Sequence, residues 1–390
     1  MAKRENENRQ YASPPCLMHE IEPGYSGLPV SDPKQQELDV SRWRKAERSR
    51  QIASRLALPS EQRRVHGKRI AGHLKKLIGD AAEQVVSAYW PFRGLDSLIG
   101  VLDLLKGGRR PLLVSHYWDA ETSKAQSYLL DRLQRRFPSP EIRSMRVRLG
   151  FDHNHLDTGE VEETQRGRSF LFFALASLAA SAFRKPTKVN VPENGLIALN
   201  VPLDPLRFGA LSTRTAHPYF IAGMNRLLRE IGIEATLVNE YRHRTKGEMV
   251  KSCADRDFLK KEVGNSMSCS SPAKARYKKL SPRHCGYCVP CLIRRASLKE
   301  GLGAPDPTLY TVPDLTAQTL FTDKSEGENV RSFQLMARRL EERPELAGIL
   351  VHKPGPLTNA PTEIGAYADV FRRGVLEVAE LLGGVTAKPS

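Results

Sequence analysis

Between residues 85 and 239 short apolar runs alternate with stretches whose apolar positions recur every three or four residues. The first pattern predicts strands and the second predicts helices. Residues 85–90 (VVSAYW) form a strand that runs into the turn Pro91-Phe92-Arg93-Gly94. Residues 95–106 (LDSLIGVLDLLK) have helical spacing and stop at Gly107-Gly108, a strong terminator. Residues 111–118 (PLLVSHYW) give a second strand, which closes a βαβ unit expected to be parallel and right-handed. The alternation continues with helix 122–136, strand 143–149, helix 166–182, strand 187–191, helix 217–231 and strand 234–239. This order predicts an α/β fold with a doubly wound, mostly parallel sheet.

Five segments follow from the same reading. Residues 1–40 are polar and carry Pro14, Pro15, Pro23, Pro29 and Pro33, the composition of an irregular leader. Over 41–78 the apolar residues Trp43, Ile52, Leu56, Ile70, Leu74 and Leu77 predict two helices broken at Pro59, with Ser60 as a cap. The many arginines there, Arg42 to Arg64, read as a solvated face. That helical segment and the first strand occupy 41–93, and the α/β domain occupies 94–250. A cysteine-bearing segment covers 251–304, and a mostly helical extension covers 305–390, ending in a helix over 367–382.

Charge and cysteine usage narrow the chemistry. The formal net charge of +16 suits polyanionic partners such as nucleotides or nucleic acid, or serves solubility alone. The longest uncharged run, 169–183, is 15 residues long and bounded by Arg168 and Arg184. It is too short for a comfortable membrane span and predicts a buried helix. With a charged opening that lacks the apolar stretch of a secretory signal, a cytoplasmic protein without a membrane partner is expected.

Four of the six cysteines fall as Cys269-x15-Cys285-x2-Cys288-x2-Cys291. Short C-x2-C steps let two thiolates reach one ion from a single turn, and Gly286 lets the backbone fold tightly between them. A fourth thiolate closes a tetrahedron, the geometry of structural zinc. Lys278, Lys279, Arg283, Arg294 and Arg295 favour the thiolate form. An iron–sulfur cluster is the rival, although the C-x3-C-P element of ferredoxins is missing. Cys16 and Cys253 read as bystanders.

Residues 284–296, HCGYCVPCLIRRA, closely resemble the zinc segment of 7-cyano-7-deazaguanine synthases (the QueC family), with Cys269 matching the first ligand. QRGRSFLFF (165–173), PENGLIALNVP (192–202), STRTAHP (212–218) and TKGEM (245–249) resemble the branch of that family found in bacterial anti-phage defence clusters, the QatC-like proteins. The resemblance covers residues 94–382. It implies a sheet of the adenine-nucleotide α-hydrolase type with a zinc-bearing C-terminal extension. The implied activity spends ATP to adenylate the carboxylate of 7-carboxy-7-deazaguanine, forms an amide with ammonia, and dehydrates it to the nitrile after a second activation. Zinc is structural in that scheme, and a defence-branch member implies partner proteins of the same system.

The family holds ATP with a Ser-Gly-Gly-x-Asp-Ser loop between the first strand and helix. Backbone amides and the helix N-terminus cradle phosphate there. The matching residues are Phe92, Arg93, Gly94, Leu95, Asp96 and Ser97, so the last four positions fit while Phe92 and Arg93 replace Ser-Gly. Arg93 either contacts phosphate or fills the approach that glycine leaves open. Residues 43–94, with WRKAERSR, ALPSEQRR and AYWPFRG, resemble instead the N-terminal part of 5-formyltetrahydrofolate cyclo-ligases, whose later motifs do not follow. The two resemblances meet at Arg93-Gly94.

The ligand-binding candidates are therefore Gly94, Asp96, Ser97, Arg93 and Lys246 for ATP, and the four cysteines for Zn2+; no catalytic residue is assigned. Lys246, in Thr-Lys-Gly-Glu with Glu248, follows a strand at the mouth where such sheets bind ligands, and reads equally as a solvated loop lysine. Glu193-Asn194-Gly195 reads as a turn, with a ligand role only through the resemblance. Ser212, Thr213, Arg214 and Thr215 read as phosphate donors or a capping loop. Arg166 and Arg168 open a helix against its dipole. Asp152, His153, His155 and Asp157 read as a surface loop before a metal set. The expected function is ATP-dependent activation of a deazapurine carboxylate or related group. A nucleotide-binding scaffold or sensor without turnover is the alternative, and a cyclo-ligase relative stands third.

Overall fold

The structure is a computed structural model that describes residues 84–88, 94–117, 120–138, 142–149, 167–183, 185–204 and 216–390, with Pro59, Glu61, Gln62, Val65 and Arg69 as single positions. The chain divides into two units, Met1–Asp80 and Ala81–Ser390, and every element below belongs to the second. The leader, all of the 41–78 stretch but those single positions, Phe92-Arg93, the 152–157 set, Arg166 and the 212–215 loop lie outside the described residues.

Five parallel strands, β1 (Gln84–Ala88), β2 (Arg110–His116), β3 (Arg143–Val147), β4 (Thr187–Asn190) and β5 (Ala235–Val238), form one sheet in the order β3-β2-β1-β4-β5. β1 is central: Val86 pairs with Leu112 on one side and with Val189 on the other. The α/β class and the parallel strands expected from the sequence are present. Residues 111–116 are buried without interruption, as a parallel strand covered on both faces requires. Leu113 packs with helices α1 (Leu95–Lys106) and α2 (Ala120–Arg136). His116, on the opposite face by strand alternation, meets the ring of Phe172 on helix α3 (Arg168–Ser181) at 6.0 Å. Observed strands end one or two residues short of the apolar runs, because those runs continue past the ladder.

Helix α1 is apolar almost all round, and Leu95, Leu98, Ile99, Val101 and Leu102 are fully enclosed. It terminates where Gly108 takes a φ of +70° and the Arg109 amide bonds back to the Leu104 carbonyl at 2.9 Å. Helix α3 is the buried helix expected over 169–183: Phe172, Phe173, Ala176 and Ala179 are inside. Among the described residues no helix is long and apolar enough to cross a membrane.

Two places differ from the sequence reading. Glu193-Asn194-Gly195 is not a simple turn: the Asn194 side chain accepts from the Ile197 amide at 3.1 Å and starts helix α4 (Gly195–Leu199). Lys246 is not a loop residue: Thr245 caps helix α6 (Lys246–Lys251) in a capping box closed by Glu248, with bonds of 3.1 and 2.9 Å. Helix α5 (Pro218–Glu230) lies between α4 and α6, and α7 (Arg256–Glu262) follows them.

Helices α8 (Val289–Gly301), α9 (Ser325–Glu342), α10 (Leu346–Leu350) and α11 (Ile364–Leu381) build a second core around Phe333 and Phe371, joined by Leu196 and Leu199 of α4. Strands β6 (Leu320–Phe321) and β7 (Ala387–Lys388) pair in parallel beside it. On α11 the buried positions Tyr367, Val370, Phe371, Gly374, Val375 and Val378 recur at helical spacing.

Candidate functional site

In this strand order the chain turns to opposite sides of β1 and β4, and the crevice beyond the carboxyl ends of those strands is where open α/β sheets take ligands. Three connections deliver side chains to that place. Asp96 is the second residue of α1, after β1. Glu193 and Asn194 follow β4. Lys246 opens α6, after β5. The Lys246 Nζ lies 3.2 Å from Asp96 Oδ1, and both side chains are almost wholly buried, at 4% and 8% exposed. Asn194 donates to Asp96 Oδ2 from its side chain at 2.7 Å and from its backbone at 3.4 Å. The Asn239 side chain donates to the Glu193 carbonyl at 2.8 Å and ties the end of β5 to the same loop.

The electrostatics separate the two carboxyl groups. Burial pushes Asp96 up, but Lys246, Glu193 and Asn194 outweigh it and hold the group below its ordinary value. Glu193, partly exposed as a residue but enclosed at its carboxyl, is pushed well above its ordinary value by burial and then by the Asp96 charge. Burial and the neighbouring charges thus push the two carboxyl groups in opposite directions, with Lys246 against Asp96.

Gly94 caps α1 without a side chain to do so, at a φ of −76°. A Cβ there would meet only Ser97 Oγ, at 3.9 Å. Neither backbone angle nor packing against the described residues demands glycine at this position. Ser97 is buried on the first turn.

A second layer holds Lys246 from behind. Glu377 on α11 accepts from Thr245 Oγ1 at 2.6 Å and from the Gly247 amide at 3.1 Å, so it caps the helix that Lys246 opens. Burial, with Glu248 and Glu300 nearby, raises its carboxyl to about 7. Arg373, one turn earlier, pairs with Glu248 and donates to the His243 carbonyl at 3.0 Å. Glu377 has no local sequence signature: it sits 130 residues from Gly247 and reads as a surface position on an amphipathic helix.

The four cysteines come together as expected. Their sulfurs all lie within 4.8 Å of one another. Cys269 and Cys288 are 4.0 Å apart, and Cys285 and Cys291 are 3.8 Å apart. Tetrahedral zinc with bonds of about 2.3 Å requires a sulfur separation of about 3.8 Å, so the set fits one such ion. A cluster of several irons would spread the sulfurs farther, each on its own metal. Amides of Ser271 and Cys285 point at the Cys269 sulfur, both at 3.4 Å, and the Cys288 amide points at Cys285 at 3.3 Å. Cys269, Cys285 and Cys291 are buried, while Cys288 is partly exposed as a residue.

Gly286, at φ +97°, makes the tight step between Cys285 and Cys288; a Cβ would strike Arg295 at 2.6 Å and the Val312 carbonyl at 2.7 Å. Arg294, fully buried, donates to Ser266, Thr308 and the Val263 carbonyl and so fixes the strand-like stretch that presents Cys269. Crowding divides the thiols. Donation to Cys285 and Cys288 raises Cys269, burial raises Cys291, and acceptance from the other three lowers Cys288. A cation at the centre would relieve that conflict by taking all four as thiolates. Cys253 stands apart, its thiol pushed up to about 12 by burial, which suits a bystander.

Of the nucleotide candidates, Gly94, Asp96, Ser97 and Lys246 meet at one place, and Arg93 is outside the described residues. Comparison of the chain with protein-family models and with curated proteins gives no match.

Proposed function

We propose that the protein is an ATP-dependent enzyme of the 7-cyano-7-deazaguanine synthase type, on a sheet of the adenine-nucleotide α-hydrolase kind, with one structural zinc ion on Cys269, Cys285, Cys288 and Cys291. The observation that carries the reading is the convergence of Asp96, Asn194 and Lys246 at the β1/β4 crevice, beside the N-terminus of α1. A helix start with a glycine cap and a lysine is suited to phosphate. In this reading the α1 amides, Ser97 and Lys246 receive the phosphates of ATP. An arriving phosphate competes for the ammonium, and Asp96 keeps Asn194 and Glu193 as its donors.

A carboxylate is a poor electrophile until its oxygen attacks the α-phosphorus and pyrophosphate leaves. Ammonia then attacks the acyl carbon, AMP departs and an amide results. A second adenylation, now of the amide oxygen, allows AMP to leave with loss of two protons as the nitrile forms. Residues 84–116 and 187–251 would orient the nucleotide for both rounds, and the zinc ion holds the extension in shape without entering either step.

A second reading is a nucleotide-binding scaffold in a defence assembly. Lys246 is already neutralised by Asp96, which weakens the pull on a triphosphate. The experiment is pyrophosphate release from ATP by the zinc-loaded protein, with and without 7-carboxy-7-deazaguanine. We expect substrate-stimulated release that falls at least tenfold in the double variant Asp96→Asn/Lys246→Met. The pair is changed together because removing one partner would leave a buried charge alone. ATP binding without stimulated release would overturn the enzyme in favour of the scaffold, and absence of ATP binding would overturn both. Restoring Ser-Gly at Phe92-Arg93 is expected to raise release if Arg93 obstructs the loop.

A further inference from the structure

Between the first and second cysteines the chain carries Lys274, Arg276, Lys278, Lys279 and Arg283, with no Asp or Glu anywhere in residues 270–284. Among the described residues none of the five has a carboxylate partner. Arg276, Tyr277, Lys278 and Lys279 are exposed, and Tyr277, at 70%, is the most exposed large apolar or aromatic side chain among the described residues.

This stretch is built to hold its shape. Residues Pro272–Lys278 wind as a 3-10 helix, Ala275 is buried beneath it, and Lys279 turns the chain at φ +56°. The amides of Lys279 and Leu280 bond back to Arg276 and Ala275 at 2.9 and 3.1 Å. Cys269 and Cys285 pin the two ends to the same cluster. The Arg276 guanidinium stands 5.2 Å over the Tyr277 ring, and Ser281 holds the Arg283 guanidinium at 2.8 Å. Among the described residues this exposed aromatic and the cations beside it serve no core and no internal ion pair.

We propose that this loop is a docking surface for single-stranded nucleic acid, with phosphates on the five cations and a base stacked on Tyr277. The chemistry selects that partner. Backbone phosphates match unpaired lysine and arginine, and an exposed ring needs an unstacked base, which a duplex keeps inside its own stack. A membrane surface would call for an amphipathic helix with several apolar anchors, and Tyr277 is the one exposed large apolar or aromatic side chain within residues 270–284. Its residues are distinct from Asp96, Asn194 and Lys246 of the β1/β4 crevice, and binding there does not depend on ATP turnover.

The test is fluorescence anisotropy of the full-length, zinc-loaded protein with a labelled oligothymidylate, a duplex of equal length, anionic phospholipid vesicles and polyglutamate. The single strand should bind most tightly, with log K falling against log salt at a slope near −3.5 for about five phosphates. Lys278→Glu/Lys279→Glu should flatten that slope by at least about 1.4. Tyr277→Ala should weaken binding roughly 5- to 150-fold with the slope unchanged, and Tyr277→Phe should restore it. Lys260→Glu/Lys261→Glu, the same charge change at exposed positions of α7, should leave binding intact. Equal losses in the two charge-reversed pairs would reduce the effect to net charge and overturn the proposal. So would stronger binding to duplex, vesicles or polyglutamate, or indifference to Tyr277. Bound zinc, measured in each variant, reports that the loop is folded.

Discussion

Glu377 is the residue through which the C-terminal helices reach the crevice. It is protonated at a pH where ordinary glutamates are ionised, since its carboxyl sits near 7 against about 4.5. A carboxyl raised on folding makes the native state bind the proton more tightly than the unfolded chain. Its contribution is complete below about pH 4.5 and declines as the pH rises to about 7. Glu377→Gln keeps the shape and removes the titration. The variant should gain stability relative to the parent above pH 7, by about 1–3 kcal/mol, and lose that advantage near pH 5, as read by urea unfolding across pH. Identical pH profiles would show that the carboxyl is not held as the geometry implies. At the four-cysteine cluster, the zinc proposed there should fall below one equivalent by elemental analysis in Cys285→Ser, because a hydroxyl does not supply the thiolate that tetrahedral zinc takes.

At the scale of elements, α1 joins the core to the crevice: its buried leucines face α2 and the sheet while its first turn offers Asp96 and Ser97. Leu98→Ala should cost about 2–5 kcal/mol in chemical denaturation through the cavity it opens. Helices α6 and α8 cross closely, and a Cβ at Gly301 would lie 2.8 Å from the Lys251 amide. Gly301→Val should push α6 away and displace Lys246, and under the proposed function it should weaken ATP binding, as read by titration of the folded variant. The sequence made β2, α1 and α3 readable because each is a long apolar run with a clear stop. Short helices escaped it. Over the five residues of α4 and the six of α6, the start is set by one capping side chain while periodicity has no length in which to appear. The cysteine site was legible from spacing alone. The burial of Lys246 was not, because a lysine after Thr245 looks solvated until Asp96 and Glu377 arrive from distant segments.

Among the described residues of unit 81–390, the core of α1 and α2 on the five-stranded sheet and the C-terminal core are distinct, and the four-cysteine cluster stands on the stretch from the end of α7 to the first turn of α8 that leads from one to the other. Stripping zinc should lower the melting temperature by about 10 °C or more, since ligation at a thousandfold over Kd stabilises by about 4 kcal/mol. An unchanged melting curve after complete metal removal would mean that the four thiols hold together without an ion.

The C-terminal core is not assembled from C-terminal residues alone. Leu196 and Leu199 on α4, with Val201 and Leu203 just beyond, are buried among side chains of α8, α9 and α11. A recombination point placed between residues 251 and 305 would therefore divide a core as well as a chain. Chimaeras that exchange the extension between related proteins should stay insoluble unless residues 195–203 travel with it, so the heritable module is discontinuous along the gene.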